Sequence, residues 1–335
     1  MTDGSNQLPW EQPAWLEHLS GWIAQQLSIH QLTALAPLEL VHQRPWSAFG
    51  QVCTNHGMIY CKAPAPAFAY EVGLTQALAQ WHPACSVPIL AIEPTHGWIL
   101  SGDAGTTLRV LGQNLSQLDH WYALLPEYSE LQIALAKRVP ALLDLGVPDR
   151  RLTIFPSLFT EILGDHDQLL LDQVGGLSSA EYHQLQGLPA TVQAQVAQLA
   201  SYGIPETLTH EEIHENNVLY GPRGYTITDW SDCSVSPPFF SLLVTVRAAA
   251  HWLKLDEHGD SIQRLRDAYL EPWTRFASRQ SLDQAADIAY RLGMINRALS
   301  WRQALKGLDR QHTKDYIDSI AGWLQDYLAT HANTE

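Results

Sequence analysis

Lysine is scarce in this chain: five in 335 residues, against 35 aspartates and glutamates, for a formal net charge of −15. Phosphate-backbone binding needs clustered cations, so the balance argues against nucleic acid as a partner. A cationic small molecule, in contrast, is drawn to such a field. Long apolar runs are missing as well, and none reaches the ~18 residues that span a bilayer. The four cysteines, at 53, 61, 85 and 233, fit no metal-ligand spacing. Cys53 and Cys61 fall on strands expected to pair, where a disulfide is conceivable. Residues 1–7 carry neither a basic region nor the apolar stretch of a secretory leader, so reduced thiols and a cytoplasmic location are expected. A Gly-x-Gly-x-x-Gly segment is also lacking; Gly50 stands alone within Trp46-Ser47-Ala48-Phe49-Gly50.

What is present is ample for a folded protein. Hydrophobic residues make up 46% of the chain and tryptophans number twelve, a length and composition suited to two lobes. Trp15, Leu16, Leu19, Trp22, Ile23 and Leu27 recur at helical steps. Leu38–Val41, Gln51–Thr54 and Met58–Lys62 read as strands, the last two joined by the turn Asn55-His56-Gly57. A helix is expected from Phe68 to Trp81, ending before Pro83. Val87–Ile92 and Gly97–Leu100 complete a small, mostly antiparallel sheet. From Leu108 onward the pattern turns helical, including a helix opened by Pro189 with Leu188, Val192, Val196 and Leu199 on one stripe. Val218–Tyr220 and Tyr225–Ile227 flank Gly221-Pro222-Arg223-Gly224 as a hairpin. Ser236 reads as the N-cap of an apolar helix that runs to Leu253. One cut near Ser101-Gly102-Asp103 gives lobes of 1–102 and 103–335.

The segment from Thr209 to Leu219 carries the chemistry and has two incompatible readings. His210-Glu211-x-x-His214 spells a zinc-hydrolase helix motif, with two imidazoles at i and i+4 and a glutamate between them. That reading needs a continuous helix and a third ligand, yet Pro205 lies just upstream and Asn216-Asn217 leads straight into a hairpin. The same residues also spell a phosphoryl-transfer loop: a histidine, an acid two residues on, and an asparagine five further, with Asp229 about a dozen residues beyond. Phosphoryl transfer needs a cation on the phosphates, oxygen ligands for magnesium and an acceptor for the substrate proton. Lys62 at a strand end, Glu71 on the inward face of the next helix, Asn217, Asp229 and Glu212 supply candidates for each part. His210 then braces the loop.

On these residues the chain resembles the aminoglycoside phosphotransferase-related family, small-molecule kinases of the protein-kinase-like fold. The matching segments are Tyr60-Cys61-Lys62, Glu71, Trp98-Ile99-Leu100-Ser101-Gly102-Asp103, His210-x-Glu212-x-x-x-x-Asn217 and Ile227-Thr228-Asp229-Trp230-Ser231-Asp232. They span roughly residues 38 to 240, and the last two are the specific ones. The resemblance implies an α+β, two-lobed fold, with a nucleotide-binding antiparallel sheet in the first lobe and a mainly helical second lobe. It implies ATP or GTP with Mg2+, bound through Lys62, Glu71, Leu100 and Gly102, with Asn217 and Asp229 on the metal. Glu212, His210 and Asn217 form the catalytic set, and the γ-phosphoryl group passes to the hydroxyl of a small molecule. The expected assembly is a monomer or homodimer.

Two features depart from that family besides the glycine-poor loop. Its loop normally reads His-Gly-Asp, whereas here Glu212 carries its carboxylate one methylene further out. A misplacement of ~1 Å can cost ~100-fold in rate, so a nucleotide-binding chain with impaired transfer is the alternative reading, and the zinc hydrolase a third. The supporting helix aspartate is also absent, leaving Asp232 as a local brace. Glu211, Glu215, Asp256 and Glu257 are candidates for an acidic pocket around a cationic acceptor, and Trp46 is a candidate ligand contact.

Overall fold

The structure, a computed structural model, describes residues 8–112 and 117–332. The reading of the first seven residues lies outside the described residues. Two compact units divide the chain. The first takes Met1–Thr106, Leu219–Ser231 and Ala304–Lys314; the second takes Thr107–Val218, Asp232–Gln303 and Asp315–Glu335. A single cut at 102 does not express this, because the segment bearing Asp229 groups with the N-terminal residues.

The first unit is built on five antiparallel strands: β1 (Glu39–Arg44), β2 (Ser47–Thr54), β3 (Gly57–Pro64), β4 (Ile89–Glu93) and β5 (Trp98–Gly102), in the order β1-β2-β3-β5-β4. Alternation sorts the two faces. Ala48, Val52, Ile59, Cys61 and Ala63 are buried, while Phe49, Tyr60 and Lys62 on the other face are half-buried. Helix α1 (Trp15–Ile29) buries Trp15, Leu19, Ile23 and Leu27 in the same core as the apolar sheet face. Each such side chain contributes roughly 1.5–3 kcal/mol when fully buried. Helix α2 (Tyr70–Trp81) follows a short 3-10 turn and presents Glu71, Leu74 and Leu78 inward. All four cysteines are free.

The sequence places a phosphate-covering loop at residues 46–50. Ser47–Gly50 instead lie within β2, and only Pro45 and Trp46 form the turn. Ala48 pairs with Ala63 and Phe49 with Lys62, so this stretch is hydrogen-bonded sheet. Trp46 is partly buried and packs against the hydrophobic core of the unit, and its carbonyl accepts from the Ala65 N–H.

The second unit is mainly helical. The helices Gln117–Leu135, Asp260–Leu270 and Arg279–Leu305 bury Trp121, Tyr128, Tyr269, Leu292 and Ile295. Between helices lies a two-stranded antiparallel ribbon, Thr207–His210 with Cys233–Ser236, in which His210 pairs with Cys233 and Thr207 with Ser236. Ser236 is therefore a strand end and not an N-cap. Its pairing, and the extended backbone that Pro238 imposes on Pro237, delay the helix to Ser241–Leu253 after a 3-10 turn at Pro238–Phe240. Among the described residues no helix is long and apolar enough to cross a membrane.

Candidate active site

Lys62 is the charge centre of the first unit. Strand alternation puts it on the half-buried face of β3, opposite Phe49. Its Nζ donates to Glu71 Oε1 at 2.5 Å and to Asp229 Oδ1 at 2.5 Å. Glu71, in the first turn of α2, is 2% exposed, and the Trp230 main chain also hydrogen-bonds to it. Asp229 follows the strand Gly224–Ile227 with φ +63. That is a left-handed backbone, which aspartate tolerates better than most residues. Ser231 Oγ donates to Asp229 Oδ1 at 2.6 Å, and Tyr70 from α2 bonds through its hydroxyl to the Ser231 carbonyl. The loop after the hairpin is thus tied to α2 at two points.

Burial opposes the charge on Lys62, but Asp229 and then Glu71 outweigh it and hold the ammonium above its ordinary pKa. Burial pushes the Glu71 carboxyl up to about 7 against the pull of Lys62. Asp229, with 37% of its side chain exposed, already balances Lys62, and Glu71 lies in the core.

Leu100 and Gly102 sit on β5 beside β3, with Cys61 paired to Leu100 and Ile59 to Gly102. Leu100 is fully buried, so its side chain belongs to the core. Beside Lys62 an aromatic strip was not anticipated: His42 stacks on Phe49 at 5.4 Å and Phe49 on Tyr60 at 5.8 Å.

In the second unit the loop 211–217 is held at its start by the ribbon. The Tyr128 hydroxyl accepts from the His210 N–H, and Ser241 Oγ donates to the His210 carbonyl. The Glu212 N–H donates to His210 Nδ1 at 3.1 Å, which fixes the fully buried ring against the loop. Asn217 Nδ2 donates to the Glu212 carbonyl at 3.0 Å and lies 3.3 Å from His214 Nε2. The nitrogen end of this amide therefore serves the loop, an orientation that suits a magnesium-binding role for its oxygen. Glu212 Oε1 takes Arg297 Nη2 at 2.5 Å, and Glu212 Oε2 lies 3.9 Å from His214 Nε2. Asp232 accepts from the Glu211 N–H through its carbonyl, and its carboxylate lies 3.6 Å from Arg297 Nη1.

Compared by sequence, the chain matches no family model and no curated protein. Compared by structure, it is similar to a choline kinase from Cryptosporidium parvum Iowa II, with TM-score 0.64 and 13% identity over 95% of each chain. A choline kinase from Streptococcus pneumoniae gives 0.60 and 14%, covering 94% of this chain and 99% of that one. A macrolide 2'-phosphotransferase type I gives 0.57 and 13%, covering 94% and 97%. The chain has the protein-kinase-like fold of small-molecule kinases.

On this kinase fold the zinc-helix reading does not stand. His210 ends a strand and the residues after it form turns, so i and i+4 do not share a helical face. Both imidazoles are taken up locally, His210 by Glu212 and His214 Nδ1 by the Asn216 N–H at 3.2 Å. The acidic acceptor pocket does not assemble either. Glu211, 1% exposed, receives Arg150 at 3.0 and 3.1 Å, Ser234 at 2.7 Å and Ser300 at 2.5 Å. Glu215 pairs with Arg109 at 2.6 Å, and that guanidinium lies over Trp252. Glu257 receives the Tyr290 hydroxyl, and Asp256 caps the His258 N–H. Each carboxylate already has an internal partner.

The residues that sequence reasoning missed are Arg150, Asn296, Arg297 and Ser300. Their one readable signal is compositional. Asn296 and Arg297 interrupt an otherwise apolar run from Leu292 to Leu299 in the helix Arg279–Leu305, and Ser300 follows it directly. Polar side chains inside such a run must face partners.

Proposed function

We propose that the chain is a magnesium-dependent small-molecule kinase that transfers the γ-phosphoryl group of ATP or GTP to a substrate hydroxyl. The observation that carries this reading is the three-membered charge cluster of Lys62, Glu71 and Asp229. A lysine held by a buried helix glutamate on a sheet, with a second acid from a hairpin, is the apparatus that fixes phosphates and a divalent cation. Magnesium, when bound, neutralises charge on the phosphates; Asp229 and Asn217 offer it hard oxygen donors.

Lys62 contacts the phosphates while Glu71 holds its side chain in place, and the half-buried rings of Phe49 and Tyr60 on the same sheet face suit contact with a nucleotide base. Leu100, whose side chain lies in the core, and Gly102 border the base through main chain. Glu212 accepts the proton of the attacking hydroxyl as its oxygen bonds to the γ-phosphorus and the bond to the β-phosphate bridging oxygen breaks, releasing the nucleoside diphosphate. His210 and Asn217 keep that loop in shape. The acceptor is an alcohol; the named activities of similar structures point to choline, ethanolamine and macrolides as first compounds to try. The net charge of −15 favours a cationic one.

A second reading has its own observation. Glu212 Oε1 is engaged by Arg297, as it would be in a nucleotide-binding chain with little transfer. Calorimetry with Mg-ATP and Mg-GTP, followed by an assay for ADP with choline, ethanolamine and a macrolide, tests both. Binding with phosphorylated product supports the kinase; binding without product supports the second reading. Absence of nucleotide binding removes both.

A further inference from the structure

Arg297 is an expensive residue for this fold to keep. Its side chain is 4% exposed, yet Nε and Nη1 make no hydrogen bond among the described residues. Its hydrogen bond goes from Nη2 to Glu212, with Glu211 Oε2 at 3.8 Å and Asp232 Oδ1 at 3.6 Å supplying charge alone. Burial weakens the guanidinium, and the three carboxylates, Glu212 foremost, more than offset it. Glu211 does not need this arginine, because Arg150, Ser234 and Ser300 already satisfy both its oxygens. Glu212 and Asp232 keep 28% and 25% of their side chains in solvent, so neither is a stranded buried charge without it. Replacing a poorly satisfied buried ion by an apolar residue of similar volume is often neutral or stabilising. Stability therefore does not account for Arg297, and its geometry singles out one carboxylate oxygen on the loop.

We infer that Arg297 is the positioning residue for Glu212, fixing Oε1 so that Oε2 faces the substrate hydroxyl. The inference rests on the kinase reading and deepens it. A glutamate has one more rotatable bond than an aspartate, and a half-exposed one samples several rotamers. Pinning one oxygen to a planar, buried guanidinium removes that freedom and leaves the second oxygen to take the proton.

The test measures ADP released from Mg-ATP with water as acceptor, in the full chain, for wild type, Arg297→Met, Arg297→Lys and Glu212→Asp. Melting temperature and Mg-ATP affinity are recorded for each. Arg297→Met is expected to melt no lower than wild type and to bind Mg-ATP equally, with unchanged KM and kcat reduced about 100-fold. Arg297→Lys recovers part of the loss. Glu212→Asp, which withdraws the carboxylate by one methylene at a side chain 28% exposed, is expected to lower kcat as well. Wild-type turnover in Arg297→Met, or faster turnover in Glu212→Asp than in wild type, overturns the proposal while leaving the kinase reading intact. A wild-type chain that neither binds Mg-ATP nor releases ADP removes that reading and the proposal with it.

Discussion

Lys62 Nζ stands 2.5 Å from Glu71 Oε1, nine positions away, and 2.5 Å from Asp229 Oδ1, 167 positions away. Glu71 is rooted in a helix core and Asp229 in a strained loop. One partner therefore fixes the lysine, and the other is the more open of the two acids.

That asymmetry makes Asp229 the first residue to change. Asparagine tolerates the left-handed backbone at φ +63, so Asp229→Asn removes the charge without adding strain. The melting temperature is expected to stay within a few degrees of wild type. Mg-ATP affinity measured by calorimetry should fall at least about tenfold, or about 1.4 kcal/mol. Equal affinity in the variant would contradict the magnesium role.

Glu71 gives a pH signature. Its carboxyl titrates near 7 in the folded chain, raised by burial from the ordinary 4.5. Between those values the folded chain holds a proton that the unfolded chain has lost. The group's contribution to stability is therefore complete below 4.5 and disappears as pH rises through 7. Glu71→Gln does not titrate. Urea midpoints should show wild type losing stability relative to Glu71→Gln between about pH 5 and about pH 8. A difference that stays flat across that range would place the Glu71 titration elsewhere.

The first unit was largely legible because its signals are local. Alternation in β2 and β3, the Asn55-His56-Gly57 turn and the three- and four-residue steps of α1 each encode one element within a dozen residues. The same holds for the hairpin 218–227, whose glycines mark the turn. The side-chain network of the second unit was not legible. Arg150 and Glu211 lie 61 positions apart, and Arg297 and Glu212 lie 85 apart; no periodicity relates them. His210 and His214 misled for the opposite reason. Their spacing implies a shared face only on a helix, and the ribbon pairing of His210 with Cys233 takes that helix away.

Arg150 supplies a stability test of that network. It is 5% exposed, and its Nη1 lies within hydrogen-bond distance of both oxygens of Glu211, the side chain and carbonyl of Asn296, and Ser300 Oγ. Arg150→Met leaves the Glu211 carboxylate buried with only two hydroxyl donors. Removing one partner of a buried pair costs about 3–5 kcal/mol, and urea unfolding should show a loss of that order. A loss below about 1 kcal/mol would mean that water or Arg297 takes over Glu211.

Gly105 tests how the hairpin that leads to Asp229 is seated. Its φ is +125, and a Cβ there would lie 2.5 Å from the Tyr220 carbonyl oxygen and 2.9 Å from Gly221 Cα. Both are backbone atoms of the hairpin and cannot rotate away. Gly57 has a similar φ of +110, but a Cβ at that position would meet nothing within 4 Å. Both alanine variants therefore share the conformational penalty of about 1–3 kcal/mol, and only Gly105→Ala adds the collision. Gly105→Ala is expected to unfold at clearly lower urea than Gly57→Ala, and to weaken Mg-ATP binding by shifting the hairpin that leads to Asp229. Equal midpoints for the two would show that the hairpin yields to residue 105 instead of being held by it.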